Sequence, residues 1–257
     1  FKSLDDPIGA YIEEWAGDDR GKITLRQLLS MSSGLTTTAS SGGLFSETMR
    51  FQMGLFPERL LLGRQVARPP NTDFEYLNVN SNLVGLALQR SLGRRYAEYL
   101  SEKIWRPIGA SDGYVVPARP GGFVKTSGTL LAQARDWLRV GLLLKDDGLF
   151  NGRRVLPEGW VAQMTASSAT NPIYGMQVWR ASPHVAERYY NNARQGFMVP
   201  AAEPFLAEDM VYLDGFGGQR VYVSPAEDLV IVRTGPFSPK WDDAALPNLV
   251  VKELRAP

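Results

Sequence analysis

The sequence predicts an α+β fold, helices first and an antiparallel sheet later, and three observations carry that prediction. Between Asp5 and Glu158 the chain repeatedly shows helix start and stop signals, with apolar residues at helical spacing. From Tyr174 onward the period changes to short runs rich in β-branched and aromatic residues. The turn cluster Ser224-Pro225-Ala226-Glu227-Asp228 separates the last two of those runs, which therefore pair as an antiparallel hairpin. The 257 residues, 44% hydrophobic and 21% charged, suffice for a large core. The pattern describes a single domain over 1–257, with a helical lobe over roughly 20–120 and a sheet lobe over roughly 121–257.

Asp5 and Asp6 before Pro7 are a helix-start signal, a capping carboxylate followed by a residue with its dihedral already set. Thr24-Leu25-Arg26-Gln27 is a capping box ahead of Leu28 and Leu29, with Gly34 as a left-handed stop. Thr36 to Gly43 are small and polar and read as a surface loop. Asn78 or Asn80 caps a helix through Leu83, Leu86, Ala87 and Arg90, closed by Gly93. A further helix spans about Tyr96 to Trp105 and stops before Pro107. The clearest amphipathic helix runs from about Thr129 to Lys145, with Leu131, Trp137, Leu138 and Leu142 on one face. Pro157-Glu158 starts another. Strands are expected at Tyr174–Trp179, Met210–Leu213, Gln219–Val223 and Leu229–Arg233, and a C-terminal helix within Asp242–Leu254, where Pro247 limits regularity.

Composition removes whole classes of function. The net charge of +1 offers no electrostatic reason for a nucleic-acid or anionic-membrane partner, and no apolar stretch reaches the length of a membrane span. Without cysteine there is no disulfide, thiolate nucleophile or cysteine-bound metal. With one histidine, His184, a zinc site is not expected. No Gly-x-Ser-x-Gly, His-Glu-x-x-His or phosphate-binding glycine loop occurs. A Ser-His-Asp triad would have to use His184, which sits in a polar loop and reads as solvent-facing.

What remains is Tyr76-Leu77-Asn78. Alone, Tyr76 reads as a core aromatic and Asn78 as a cap. The pair stands in an ordered series, however: Asp5-Asp6-Pro7, Leu28-Leu29-Ser30-Met31-Ser32-Ser33-Gly34-Leu35, then Phe74-Glu75-Tyr76-Leu77-Asn78. Gly121-Gly122 before Arg135-Asp136, Asn151-Gly152-Arg153-Arg154-Val155-Leu156-Pro157 and Gly215-Phe216-Gly217-Gly218-Gln219 continue it. This series resembles the serine β-lactamase and penicillin-binding-protein superfamily, and most of all its esterases and 6-aminohexanoate-dimer hydrolases. The resemblance implies a β-lactamase/transpeptidase-like fold, an antiparallel sheet flanked by helices with a helical lobe.

It also implies a nucleophilic serine in a Ser-x-x-Lys motif, one helical turn apart so that the amine faces the hydroxyl. None of the seven lysines (Lys2, Lys22, Lys103, Lys125, Lys145, Lys240, Lys252) has a serine three residues before it. The motif is therefore expected upstream of Phe1, and the start, which lacks a methionine, reads as a truncation or processing point. This chain alone is expected to be inactive, the missing part supplied by an N-terminal segment or another chain. By resemblance, Tyr76 acts with the lysine as general base or acid, and Asn78 orients the lysine and the substrate carbonyl. Gly215 ends the strand equivalent to Lys-Thr-Gly, and the Phe216 N–H is one oxyanion donor. Trp179 lines the acyl pocket or belongs to the core. Lys125-Thr126-Ser127-Gly128 is a decoy for that strand motif, with Ser127 or Thr129 a helix cap.

At the strand position the chain has Leu213-Asp214-Gly215. Leucine offers no donor to a substrate carboxylate, and an ionised Asp214 would repel one. The expectation is an esterase or amidase, using no metal or organic cofactor, that turns over benzylpenicillin more slowly than a p-nitrophenyl ester. Other readings are a non-catalytic sensor of the same fold, a β-lactamase or D-peptidase, and a hydrolase built on His184. Relatives of this kind occur in periplasm and cytoplasm, the periplasmic or secreted setting slightly favoured.

Overall fold

A computed structural model describes residues 1–36, 57–117, 122, 124–238 and 240–256. The loop expected over Thr36–Gly43 lies outside them from position 37 onward, as does Gly121 of the Gly121-Gly122 pair. The chain forms two compact units, one of Phe1–Ser101 with Gly113–Leu131, the other of Glu102–Asp112 with Ala132–Pro257.

In the first unit the helices are α1 (Leu25–Leu29), α2 (Pro57–Leu62), α3 (Asn78–Leu92) and α4 (Tyr96–Leu100), followed by the strand pair β1 (Tyr114–Val115) and β2 (Leu130–Leu131). Thr24 and Gln27 make the expected capping box, Gln27 N–H to Thr24 Oγ1 at 3.2 Å and Thr24 N–H to Gln27 Oε1 at 2.9 Å. The unit's core joins Ile8, Ile12, Trp15 and Ile23 to Leu25 and Leu28 of α1 and to Leu83, Leu86 and Ala87 of α3. Gly93 closes α3 at φ 61°, as expected.

Three local expectations differ. Asp5 and Asp6 cap no α-helix: only a 3-10 turn follows Pro7, Asp5 pairs with Arg26 at 2.7 Å, and Asp6 accepts the Lys2 and Ser3 N–H groups. Gly34 does not end α1, which has already stopped at Leu29 with Met31 left-handed at φ 59°. Its φ of 71° serves a close approach instead, since a Cβ there would lie 2.1 Å from the Arg68 carbonyl oxygen. The π-type turn Ser101–Trp105 continues the α4 segment and stops, as expected, before Pro107.

The second unit begins with α5 (Ala134–Lys145), β3 (Leu149–Phe150), β4 (Arg153–Arg154) and α6 (Trp160–Thr165). It continues with β5 (Trp179–Arg180), β6 (Glu187–Tyr189), β7 (Met198–Pro200), β8 (Val211–Gly215), β9 (Gln219–Ser224), β10 (Leu229–Arg233) and α7 (Ala245–Leu254). The main sheet runs β10-β9-β8-β5, every pair antiparallel. Its expected hairpin aligns Leu229 with Ser224 and Arg233 with Arg220. Tyr174–Trp179 is mostly turn rather than strand, bridged only at its ends, with Gln177 at φ 65°. The helix expected from Thr129 begins at Ala134, because Leu130 and Leu131 pair with Val115 and Tyr114, which leaves Leu131 exposed.

Strand alternation sets the two faces of this sheet. Val211, Leu213, Val221, Val223, Val230 and Val232 pack together with Trp137 and Leu144 of α5. Gly141 lets that helix come close, since a Cβ there would sit 2.3 Å from a Val230 methyl. Tyr212 and Asp214 alternate with Val211 and Leu213 and so project from the opposite face.

Candidate active site

Tyr76 and Asn78 lie at the entry to α3, Tyr76 half-buried and Asn78 exposed. A polar latch fixes the segment that carries them. Asn71 N–H donates to the Ser32 carbonyl at 2.8 Å and Glu75 N–H to the Met31 carbonyl at 2.9 Å. The Ser32 hydroxyl donates to Asn71 Oδ1 at 2.9 Å, the Ser33 hydroxyl to Asn80 Oδ1 at 2.8 Å, and Asn80 Nδ2 reaches the Met31 sulfur at 3.4 Å. Ser32, Ser33 and Asn80 are all buried, so each polar atom needs such a partner. Neither Asn78 nor Asn80 caps α3: Leu77 holds the cap position, and the Asn80 side chain is spent on Ser33 and Met31.

On the other side of that helix start lies Lys125-Thr126-Ser127. Thr126 Oγ1 donates to the Ser81 carbonyl at 2.7 Å. Asn82 exchanges hydrogen bonds with Ser127, accepting its N–H at 3.2 Å and donating to its hydroxyl at 3.0 Å. Ser127 and Thr129 are therefore not helix caps; Thr129 bonds the Lys125 carbonyl at 3.0 Å. The segment braces the helix that follows Asn78.

In the second unit, β8 ends at Gly215, paired with Gln219 of β9, and Phe216-Gly217-Gly218 makes the turn. Beneath it Asp214 belongs to a four-charge cluster. Arg220 bonds Asp214 at 2.6 Å and Asp243 at 2.8 Å, and Arg188 reaches Asp214 at 3.0 Å and Asp243 at 2.8 Å. Tyr190 donates to Asp214 at 2.6 Å and Tyr212 to Asp243 at 3.1 Å. Burial pushes both phenols up, so they remain protonated donors. Arg220 also donates to the Gly215 carbonyl at 3.1 Å, which ties the cluster to the strand end.

This placement corrects the expectation for Asp214. Its side chain is only 6% exposed and is met by both arginines, so two positive charges balance two negative ones and no free carboxylate faces a substrate. Leu213 packs into the core on the other face. Trp179 is 1% exposed, edge-on to Tyr174 and Tyr190, with the Arg188 guanidinium 4.0 Å from its ring centre. It is a core tryptophan that cages a buried cation, not a pocket lining. His184 is exposed, as expected.

Of the expected residues, Tyr76 and Asn78 share one loop-to-helix junction and Asp214, Gly215 and Phe216 share one strand end. Arg188, Arg220 and Asp243 were not singled out from sequence, and Ser33 and Asn80 were named only as a motif member and a helix cap. Arg220 had a signal: it alternates with Val221 on a strand whose hairpin register places it across from Asp214. Arg188 had none. Among the described residues no group of His, Asp or Glu side chains is arranged to hold a metal ion, and no helix is long and apolar enough to cross a membrane.

Comparison with known proteins agrees with this architecture. The family model described as Beta-lactamase matches residues 2–242. The 6-aminohexanoate-dimer hydrolase of Paenarthrobacter ureafaciens is 28% identical over 173 residues, which cover 66% of this chain and 40% of that protein. The chain thus spans about two fifths of that curated relative, and less of others it matches. A crystal structure of a putative β-lactamase from Bacteroides dorei DSM 17855 superposes with a TM-score of 0.72 at 20% identity, covering 99% of this chain and 79% of that one. A putative 6-aminohexanoate-dimer hydrolase from Bacillus anthracis superposes at 0.70 with 23% identity, covering 98% and 64%.

Proposed function

This chain belongs to the β-lactamase family, and on that premise we propose that it is part of a serine hydrolase that cleaves carboxylic esters or amides through an acyl-enzyme. Members of this family are hydrolases. The observation that carries the finer reading is Tyr76-Leu77-Asn78 at the entry to α3, flanked on both sides by buried and partly buried hydrogen bonds. A catalytic phenol must keep its place to within a fraction of an ångström, and a locked backbone supplies that.

The nucleophile is assigned to a Ser-x-x-Lys helix preceding Phe1 in the same polypeptide. The serine oxygen attacks the carbonyl carbon while its proton passes to the lysine–tyrosine pair, in which a neighbouring ammonium lowers the phenol's pKa. The tetrahedral oxyanion is held by the Phe216 N–H and the serine's own N–H. The C–O or C–N bond then breaks, and Tyr76 returns the proton to the leaving group. Water attacks the acyl-enzyme by the same route and releases the acid. Asn78 orients the lysine and the substrate carbonyl. No step needs a metal or an organic cofactor.

In the full-length polypeptide that contains this chain, Tyr76→Phe is expected to lower kcat for p-nitrophenyl acetate by about 100-fold or more, with circular dichroism unchanged. A near-normal rate takes Tyr76 out of the mechanism.

A further inference from the structure

The turn that carries the proposed oxyanion donor also carries Phe216, which forms an uncovered aromatic pair with Phe237 of the loop after β10. Phe216 is 88% exposed and Phe237 58% exposed, their ring centres 5.1 Å apart and tilted by 37°. Two phenyl rings in contact with each other and still open to water are an unusual use of apolar surface.

The backbone beneath them is firmly held. Gly217 and Gly218 both have positive φ, 75° and 89°, which makes the turn tight. A Cβ on Gly217 would fall 2.6 Å from the Phe237 ring, so the glycine is what lets that ring lie across the turn. Ser238 N–H donates to the Gly217 carbonyl at 2.9 Å, and Arg233 donates to the Gly217 and Pro236 carbonyls at 3.2 and 3.1 Å. The Phe237 loop is thereby pinned to the β8–β9 turn from both sides. The backbone under the pair is therefore fixed, and only the side-chain torsions remain to be ordered when something binds.

We propose that the Phe216–Phe237 pair is the binding surface for the apolar acyl portion of the substrate, which makes the preferred substrates esters or amides of medium-length aliphatic or aromatic acids. This rests on the hydrolase reading above. The argument is one of connectivity. If the Phe216 N–H binds the carbonyl oxygen, the ring of that same residue lies within one side-chain length of the acyl carbon. Phe237 extends the apolar surface away from it. The acyl group, unlike the leaving group, stays on the enzyme through both chemical steps and has most to gain from such a surface. The charge cluster beneath is internally neutralised and offers no competing field for an anionic acyl group.

The test is kcat/KM for p-nitrophenyl acetate, butyrate and hexanoate, with the full-length polypeptide in wild-type form and as Phe237→Ala, Phe237→Leu and Phe216→Ala. Each methylene that leaves water for an apolar contact is worth up to about fourfold. Wild type is expected to favour hexanoate over acetate, with that ratio falling about fivefold or more in each alanine variant and recovering in Phe237→Leu. Both phenylalanines are exposed, and circular dichroism checks that the variants fold. A ratio unchanged in both alanine variants, with acetate still hydrolysed, overturns the platform alone and would leave the pair to a macromolecular contact. Absence of hydrolysis of all three esters by wild type overturns the hydrolase reading and the platform together.

Discussion

The latch around Tyr76 and the cluster beneath Gly215 solve the same mechanical problem with different chemistry. Each fixes a short stretch of backbone that carries a proposed catalytic group. In the first unit the deeper contacts are neutral, made by Ser32, Ser33, Asn71, Asn80 and the Met31 sulfur, and the charges, Arg68 with Asp73 and Glu75, lie nearer the surface. In the second the contacts are made by four formal charges, Arg188, Arg220, Asp214 and Asp243, with Tyr190 and Tyr212 as added donors. The difference follows from the elements. A loop entering a helix brings short hydroxyl and amide side chains close together, and they satisfy one another. A strand end has its backbone already paired, so what holds it must come from side chains on one face. There, long guanidinium groups span the distance to two carboxylates and to the Gly215 carbonyl. The lesson concerns failure. A neutral hydrogen bond is worth about 1 kcal/mol net, whereas one charge removed from a buried, balanced set strands its partners.

The largest effect should therefore come from Asp243→Ala, which leaves Arg188 and Arg220 facing a single carboxylate. It is expected to destabilise by about 3–5 kcal/mol in urea unfolding. Asn80→Ala in the latch strands the Ser33 hydroxyl and should cost about 1–3 kcal/mol in the same measurement. Equal losses for the two variants would break the comparison. A third and smaller effect sharpens it by locating a lone buried carboxylate outside both regions. Asp136 at the start of α5 is fully buried; burial raises its pKa, but the Ser111 hydroxyl and N–H and the Arg139 guanidinium outweigh it and hold the carboxyl below the usual aspartate value. A depressed folded value means that its contribution is present above the unfolded value of about 3.9 and is lost as pH falls through the folded one. Asp136→Asn is expected to be less stable than wild type near neutrality, the difference shrinking below about pH 4. A difference that does not change with pH would show that the charge is immaterial there.

Much of the local structure was legible because its causes are local. The Thr24–Gln27 capping box, the Gly93 stop and the hairpin across Pro225 each depend on residues within a few positions of one another. The α+β class followed from the change of period, and the family from motifs in order. The errors around the proposed site lie where distant segments compete. Thr129 looked like a helix start until β1 claimed Leu130 and Leu131. Asn80 looked like a cap until Ser33 and Met31 claimed its amide. Asp214 looked like a free charge until Arg188, 26 positions earlier, and Asp243, 29 positions later, closed the set around it.

By itself, then, the sequence determined the class of fold, the family and the two short segments, Tyr76-Leu77-Asn78 and Gly215-Phe216, on which the proposed chemistry rests. Periodicity, capping and motif order are properties of neighbouring residues and survive without any three-dimensional information. Only the tertiary structure decided which charges are free and which aromatics are buried, because both depend on side chains brought together from far along the chain. It moved Asp214 into the interior, decided between pocket and core for Trp179 in favour of the core, and left Phe216 and Phe237 in the open beside the turn where the acyl group is proposed to bind.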